Sequence, residues 1–145
     1  FAATFAEETV FFSTFGGNQV SAAAALAVLD VLEDERVSAR VSAAGEALRS
    51  GIRSLSEHDP VIGDVRGAGL AIGVEIVTDP TSRQPDPTTT RAIKEGLKRH
   101  GVLVGTTARA GNVLKVRPPL AFTVEDVPMV LAAFEATLDE ISADR

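Results

Sequence analysis

Two short β-strands are predicted in Val61-Ile-Gly-Asp-Val-Arg-Gly-Ala-Gly-Leu-Ala-Ile-Gly-Val-Glu-Ile-Val77, a segment rich in Val and Ile. They cover residues 61–66 and 70–77, and the glycine-rich residues 67–69 join them. Two more strands are predicted at residues 102–105 and 112–117, the second of which ends at Pro118-Pro119. The centre of the chain therefore indicates a small, mainly antiparallel β-sheet.

Four helices are predicted around these strands from helix propensity and apolar spacing. They cover residues 20–35, residues 37–55, a segment from Thr89 or Thr90 to His100, and a segment from Thr123 onward. Asn18 or Ser21 is the candidate cap of the first helix, and Thr123 with Asp126 approximates a capping box for the last. This order of elements predicts an α+β fold in which helices pack on one face of the sheet.

The composition excludes several classes of function. The chain has 145 residues, 45% of them hydrophobic, and 14 Lys and Arg against 20 Asp and Glu give a net charge of −6. This acidity argues against nucleic acid or an anionic membrane as the main partner. There is no Cys, and His58 and His100 lie too far apart for a local metal motif. No segment has the roughly 20 apolar residues of a membrane span. We expect no metal, nucleic acid or membrane partner, and a cytoplasmic location.

The beginning of the chain is unusually aromatic. Five of the seven Phe lie in the first fifteen residues, and the helix predicted at residues 20–35 is apolar on nearly every side, so we expect it to be buried all round. Ordering aromatic rings at a chain end requires a surface that covers them. These features favour a piece of a longer protein, although an ordinary N-terminal core segment is the alternative. The five residues are Phe1, Phe5, Phe11, Phe12 and Phe15.

A phosphate site is plausible at Ser13-Thr-Phe-Gly-Gly-Asn18, just ahead of the first helix. Helix N-termini offer unpaired N–H groups, the two glycines allow close backbone approach, and the Ser13 and Thr14 hydroxyls can donate to phosphate oxygens. Taken alone, however, two glycines before a helix are more often a simple turn.

Cations suggest a second site near the end of the sheet. Alternation along residues 112–117 places Lys115 and Arg117 on one face, about 7 Å apart. Two cations so close favour an anion, since a guanidinium grips a carboxylate or phosphate through two bonds and an ammonium acts as a point charge. Solvated cations on an exposed strand are the open alternative. Arg66, beside the glycine turn, is expected to reach solvent or a carboxylate rather than to form a binding loop.

Several segments, in this order, resemble the C-terminal part of class III aminotransferases, which are pyridoxal-phosphate (PLP) enzymes of fold type I. The resemblance spans nearly the whole chain with the order and spacing of the family. The segments are Ser13-Thr-Phe-Gly-Gly-Asn-Gln-Val-Ser-Ala22, residues 25–30, Gly63-Asp-Val-Arg-Gly-Ala-Gly-Leu70 with Gly73-Val-Glu75, Gly101-Val-Leu-Val104, and Asn112-Val-Leu-Lys-Val-Arg-Pro-Pro-Leu120.

The resemblance implies a homodimer that shares its cofactor site and acts on small amine and oxo-acid substrates. Residues 1–18 would end the large domain and form an interface segment, and residues 19–145 would form the small C-terminal domain, beginning with the inter-domain helix. Thr14 would reach the cofactor phosphate of the neighbouring subunit, assisted by Ser13 and Phe15. Lys115 stands where the family commonly has an Arg that binds the substrate carboxylate, and Arg117 would share that role.

Two departures from the family pattern leave alternatives open. Lysine near Pro118-Pro119 is similar to the branch of ethanolamine-phosphate phospho-lyases, which makes phosphate elimination an alternative to amino transfer. The Schiff-base Lys of such enzymes has no match among Lys94, Lys98 and Lys115. The chain alone is therefore expected to be inactive, and a non-catalytic α+β binding domain is the remaining alternative.

Overall fold

The structure is a computed structural model that describes residues 4, 5, 7, 12–34 and 36–143. The chain divides into two units, Phe1–Val37 and Ser38–Arg145. Phe1 and Phe11, two of the aromatic residues noted above, lie outside the described residues, whereas Phe12 and Phe15 are more than four-fifths exposed. No helix among the described residues is both long and apolar enough to cross a membrane.

The first unit contains helix α1, Gln19–Asp34. Its cap is Asn18, whose Oδ1 accepts a hydrogen bond from the Ser21 N–H at 3.0 Å, which confirms one of the two predicted caps. No residue of α1 is buried, and Leu26 and Leu29 are 61% and 58% exposed. The described residues therefore do not provide the all-round burial that the apolar sequence predicts.

The second unit contains a four-stranded sheet in the order β1-β2-β4-β3, with each neighbouring pair antiparallel. Helices precede, interrupt and follow the strands, and a short 3-10 turn, Val124–Asp126, leads into the last helix. The bounds are α2 Val37–Ser56, β1 Ile62–Ala68, β2 Ala71–Ile76, α3 Pro87–Arg99, β3 Gly105–Thr107, β4 Val113–Val116 and α4 Val127–Ala143.

One face of the sheet forms the core with the helices. Alternate residues of the strands are buried there against apolar side chains of α2, α3 and α4, as period-2 alternation requires. The predicted α+β fold, with helices on one face of a mainly antiparallel sheet, is confirmed. The main core residues are Val65, Ile72, Val74, Leu114 and Val116 from strands and Leu48, Ile52, Ile93, Leu97, Val130 and Phe134 from helices.

Three local predictions differ from the structure. The strand expected at residues 102–105 is wrong: Gly101 stops α3 with φ +84°, Val102 packs against the core, and strand β3 begins only at Gly105. The cap of α3 is Asp86, whose Oδ1 accepts from the Thr89 N–H at 2.9 Å, and not a threonine. The capping interaction at Thr123 is present, but it opens the 3-10 turn rather than α4 itself.

Candidate functional site

The sheet face opposite the helices carries a row of aligned residues across all four strands. Arg66 on β1 opposes Gly73 on β2, Gly73 opposes Lys115 on β4, and Lys115 opposes Gly105 on β3. Residues opposite one another in antiparallel strands project to the same side of the sheet. Arg66 and Lys115 therefore stand on one face, two strands apart, and Gly73 leaves the space between them empty of side chain.

This space is part of an open cleft of about 420 Å³. Lys115 and Arg117 both line it, as alternation along β4 predicts, and Arg66 lines it from the opposite side. Its floor is Gly73 and the buried Val113. The structure thus brings together three cations from two separate segments of the sequence.

Arg66 is paired with carboxylates inside this face. Its Nη1 donates to Asp64 Oδ2 at 2.9 Å and to Glu75 Oε2 at 2.7 Å. The hydrogen bond to Asp64, followed by the one to Glu75, raises the pKa of Arg66 above its ordinary value. The prediction that Arg66 reaches a carboxylate is confirmed. A second arginine, Arg83, approaches Glu75 Oε2 at 3.8 Å.

Lys115 and Arg117 have a different environment. Lys115 is half-buried. Its Cε lies 3.1 Å from the position that a Cβ would occupy at Gly105, so the stem of Lys115 leans over Gly105 and away from β2. Arg117 is exposed just beyond the end of β4. No carboxylate of the described residues forms an ion pair with either side chain. The side of the cleft bordered by β4 therefore has an unneutralised positive charge, which suits a carboxylate or a phosphate.

The residues predicted to hold a cofactor lie in the first unit. Ser13 Oγ accepts from the Gly16 N–H at 2.9 Å, and the Asn18 N–H donates to the Phe15 carbonyl oxygen at 3.4 Å, which builds a tight turn ahead of α1. Thr14 is exposed, and no hydrogen bond to its hydroxyl is present in the described part of the chain. An exposed hydroxyl on a glycine turn before a helix fits a phosphate group.

The remaining lysines do not line the cleft. Lys94 and Lys98 are on α3, where both approach Glu95, at 3.5 and 3.9 Å respectively. Sequence reasoning does not identify Gly73 as a member of the cleft, or Asp64 and Glu75 as the partners of Arg66. The signal that was available is alternation, since Gly73 and Glu75 lie between the buried residues of β2 and so face the same side.

The chain is similar to known proteins over most of its length. The sequence profile of the family described as aminotransferase class-III matches residues 4–138. The chain is 39% identical over 131 residues to the Arabidopsis thaliana protein named alanine–glyoxylate aminotransferase 2 homolog 2, mitochondrial; the match covers 90% of this chain and 28% of that protein. The chain therefore spans little more than a quarter of that relative.

Solved structures share the fold. A phospholyase from Arthrobacter in complex with phosphoethanolamine superposes with a TM-score of 0.86 at 36% identity, over 95% of this chain and 33% of that one. An amine transaminase from an uncultivated Pseudomonas species, in its PLP-bound form, gives a TM-score of 0.82 at 34% identity, over 94% of this chain and 31% of that one. With the profile match over nearly its whole length, the chain belongs to the class III aminotransferase family.

Proposed function

We propose that this chain is the C-terminal portion of a PLP-dependent aminotransferase that moves an amino group between an amino donor and an oxo acid. In this proposal residues 1–18 end the large domain, residues 19–145 form the small domain, and the enzyme is a homodimer in the cytoplasm. Family membership supports the reaction class. The coverage of the plant relative, 28%, supports a larger parent enzyme.

The observation on which the substrate assignment depends is the unneutralised pair of cations in the cleft. Lys115 and Arg117 border an open space whose floor has no side chain at Gly73. An anionic group of the substrate would bind here, and its charge would orient the amine that is to be transferred. Binding by two positive groups also gives selectivity, because an amine that lacks an anionic group gains nothing from them.

The first unit would hold the cofactor through its phosphate. The Thr14 hydroxyl would donate to a phosphate oxygen in the neighbouring subunit, and Ser13 and Phe15 would assist at the same turn. When bound, PLP supplies the electron sink that amino-group transfer requires. The Schiff-base Lys would come from the parent enzyme, so we propose that the 145 residues alone are inactive.

Phosphate elimination is the second candidate. Two features favour it: the cation at position 115 is a lysine, and the similar Arthrobacter structure holds phosphoethanolamine. A phosphate carries up to two negative charges and would pair with Lys115 and Arg117 together. The enzyme would then convert a phosphorylated amino alcohol and water into a carbonyl compound, ammonia and inorganic phosphate.

One experiment separates these candidates. The complete polypeptide that contains this chain is purified, loaded with PLP, and given either an amino acid with an oxo acid or ethanolamine phosphate. We expect the absorbance band of protein-bound cofactor and an aminated oxo acid, without release of inorganic phosphate. Phosphate released from ethanolamine phosphate would favour the phospho-lyase. Absence of the cofactor band would contradict both and favour a non-catalytic binding domain.

A further inference from the structure

We propose that Arg66 is a positioning residue that keeps Lys115 available to the substrate by occupying the carboxylate of Glu75. This inference rests on the proposed function of the cleft as an anion site. Arg66 itself would not need to touch the substrate. It would act by determining which cation pairs with Glu75.

The strand register makes Glu75 a natural competitor for Lys115. Glu75 on β2 opposes Val113 on β4, and Lys115 is two residues further along β4. Such diagonal neighbours in an antiparallel pair are about 7 Å apart, within the reach of long side chains of opposite charge. A pair between Glu75 and Lys115 would neutralise the ammonium that the anion site requires.

The structure shows the other arrangement. The Glu75 carboxylate accepts from Arg66 Nη1 at 2.7 Å, while Lys115 leans across Gly105 in the direction opposite to β2. The glycine at position 73 leaves an open gap between the two cations. Lys115 is thus unpaired among the described residues, although a carboxylate lies close to it.

The burial of the Glu75 side chain explains why its carboxylate needs a cation as a partner. The Glu75 side chain is only 24% exposed, so leaving its charge without a partner is unfavourable. Arg83 Nη2 lies further from Glu75 Oε2, at 3.8 Å, and it also donates a hydrogen bond to the Gly63 carbonyl oxygen. Without Arg66, Lys115 is the cation that we expect to turn towards Glu75.

Two double variants of the complete holoenzyme test this idea. Arg66→Met removes the cation and retains the apolar stem. Glu75→Gln is then added to remove the competing charge. Asp64→Asn is the matched control, because Asp64 is the other partner of Arg66 and gives the same change of charge, but it lies on β1, with β2 between it and Lys115. Calorimetry measures the Kd of inorganic phosphate with PLP already bound, so that the cofactor phosphate site is filled.

We expect Arg66→Met to weaken phosphate binding about tenfold. Adding Glu75→Gln should restore Kd to within about twofold of the wild type, whereas adding Asp64→Asn should restore it much less. Unchanged affinity in Arg66→Met, or equal rescue by the two double variants, would overturn the inference. These outcomes are distinct from a failure of the proposed anion site, which would appear as wild-type holoenzyme that binds no inorganic phosphate. They are also distinct from a failure of the proposed cofactor chemistry, which would appear as wild-type enzyme without bound PLP.

Discussion

At the scale of single residues, Lys115 and Arg117 differ in how strongly solvent screens their charge. Lys115 is half-buried within the sheet, and Arg117 is exposed beyond the strand. Charged hydrogen bonds weaken as exposure increases. We expect Lys115→Met to raise KM for an anionic amino donor about tenfold and Arg117→Met about threefold, with kcat changed less than KM in both.

An amine without an anionic group is the control for this prediction. Steady-state kinetics with a simple alkylamine should give no higher KM in either variant than in the wild type, because the amine has no anion to bind. A larger effect from Arg117 than from Lys115 would contradict the assignment of the half-buried lysine as the main anion-binding group.

Alternation within one strand is sufficient to predict that Lys115 and Arg117 share a face. The contribution of Arg66 is of another kind, because it depends on β1 pairing with β2 and on β2 pairing with β4. Register between distant strands has no local signal in the sequence. Two of the three cations of the cleft can therefore be predicted from the sequence. The pairing of the third, Arg66, with carboxylates is seen only in the folded chain.

At the scale of elements, helix α2 packs closely on the turn between β1 and β2. Arg49 Nη1 donates to the Gly67 carbonyl oxygen at 2.6 Å, and Arg53 Nη2 donates to the Val65 carbonyl oxygen at 3.0 Å. A Cβ at position 45 would overlap the carbonyl group of Gly69, which is backbone and cannot rotate aside. Gly45 is thus a point at which the helix backbone and the hairpin backbone are in close contact.

We expect Gly45→Ala to destabilise the second unit. The overlap should cost about 3 kcal/mol, more than the roughly 1 kcal/mol that alanine gains in helix propensity. Thermal unfolding of the complete protein should show a lower Tm, and the amides of the turn should exchange faster. Ser50→Ala, at an exposed position of the same helix, is the control and should leave both unchanged. An unchanged Tm in Gly45→Ala would show that the helix and the hairpin can move apart without loss of stability.

Elements with a strong periodicity of apolar residues could be predicted from the sequence. The structure of short apolar runs could not. Helices α2 and α4 follow from apolar spacing over several turns. The run Val102-Leu-Val104 has a strand composition, but it returns from the end of α3 to cover the core, and a three-residue pattern does not separate these two roles. Asp86 precedes Pro87, a common first helical residue, and this signal identifies the cap better than the threonines do.

At the scale of the whole molecule, the apolar side chains of α1 and the Thr14 hydroxyl are exposed, and we propose that both act in a larger assembly. We propose that Thr14 serves the cofactor of the neighbouring subunit. In the complete enzyme, Thr14→Val should therefore raise the Kd of PLP about tenfold, because one hydrogen bond to a charged phosphate is lost. Fluorescence titration of the apoenzyme with PLP measures this change.

Mixed dimers reveal which subunit supplies the hydroxyl. One subunit has Thr14→Val and an intact Schiff-base Lys, and the other has Thr14 and lacks that Lys. If Thr14 acts across the interface, the site with the intact Lys also receives an intact threonine, so half of the sites should bind PLP with wild-type affinity. If it acted within its own subunit, every site with an intact Lys would carry the valine, and affinity at those sites would match the Thr14→Val homodimer. That second result would contradict a shared cofactor site, and with it the proposal that residues 1–18 belong to the interface.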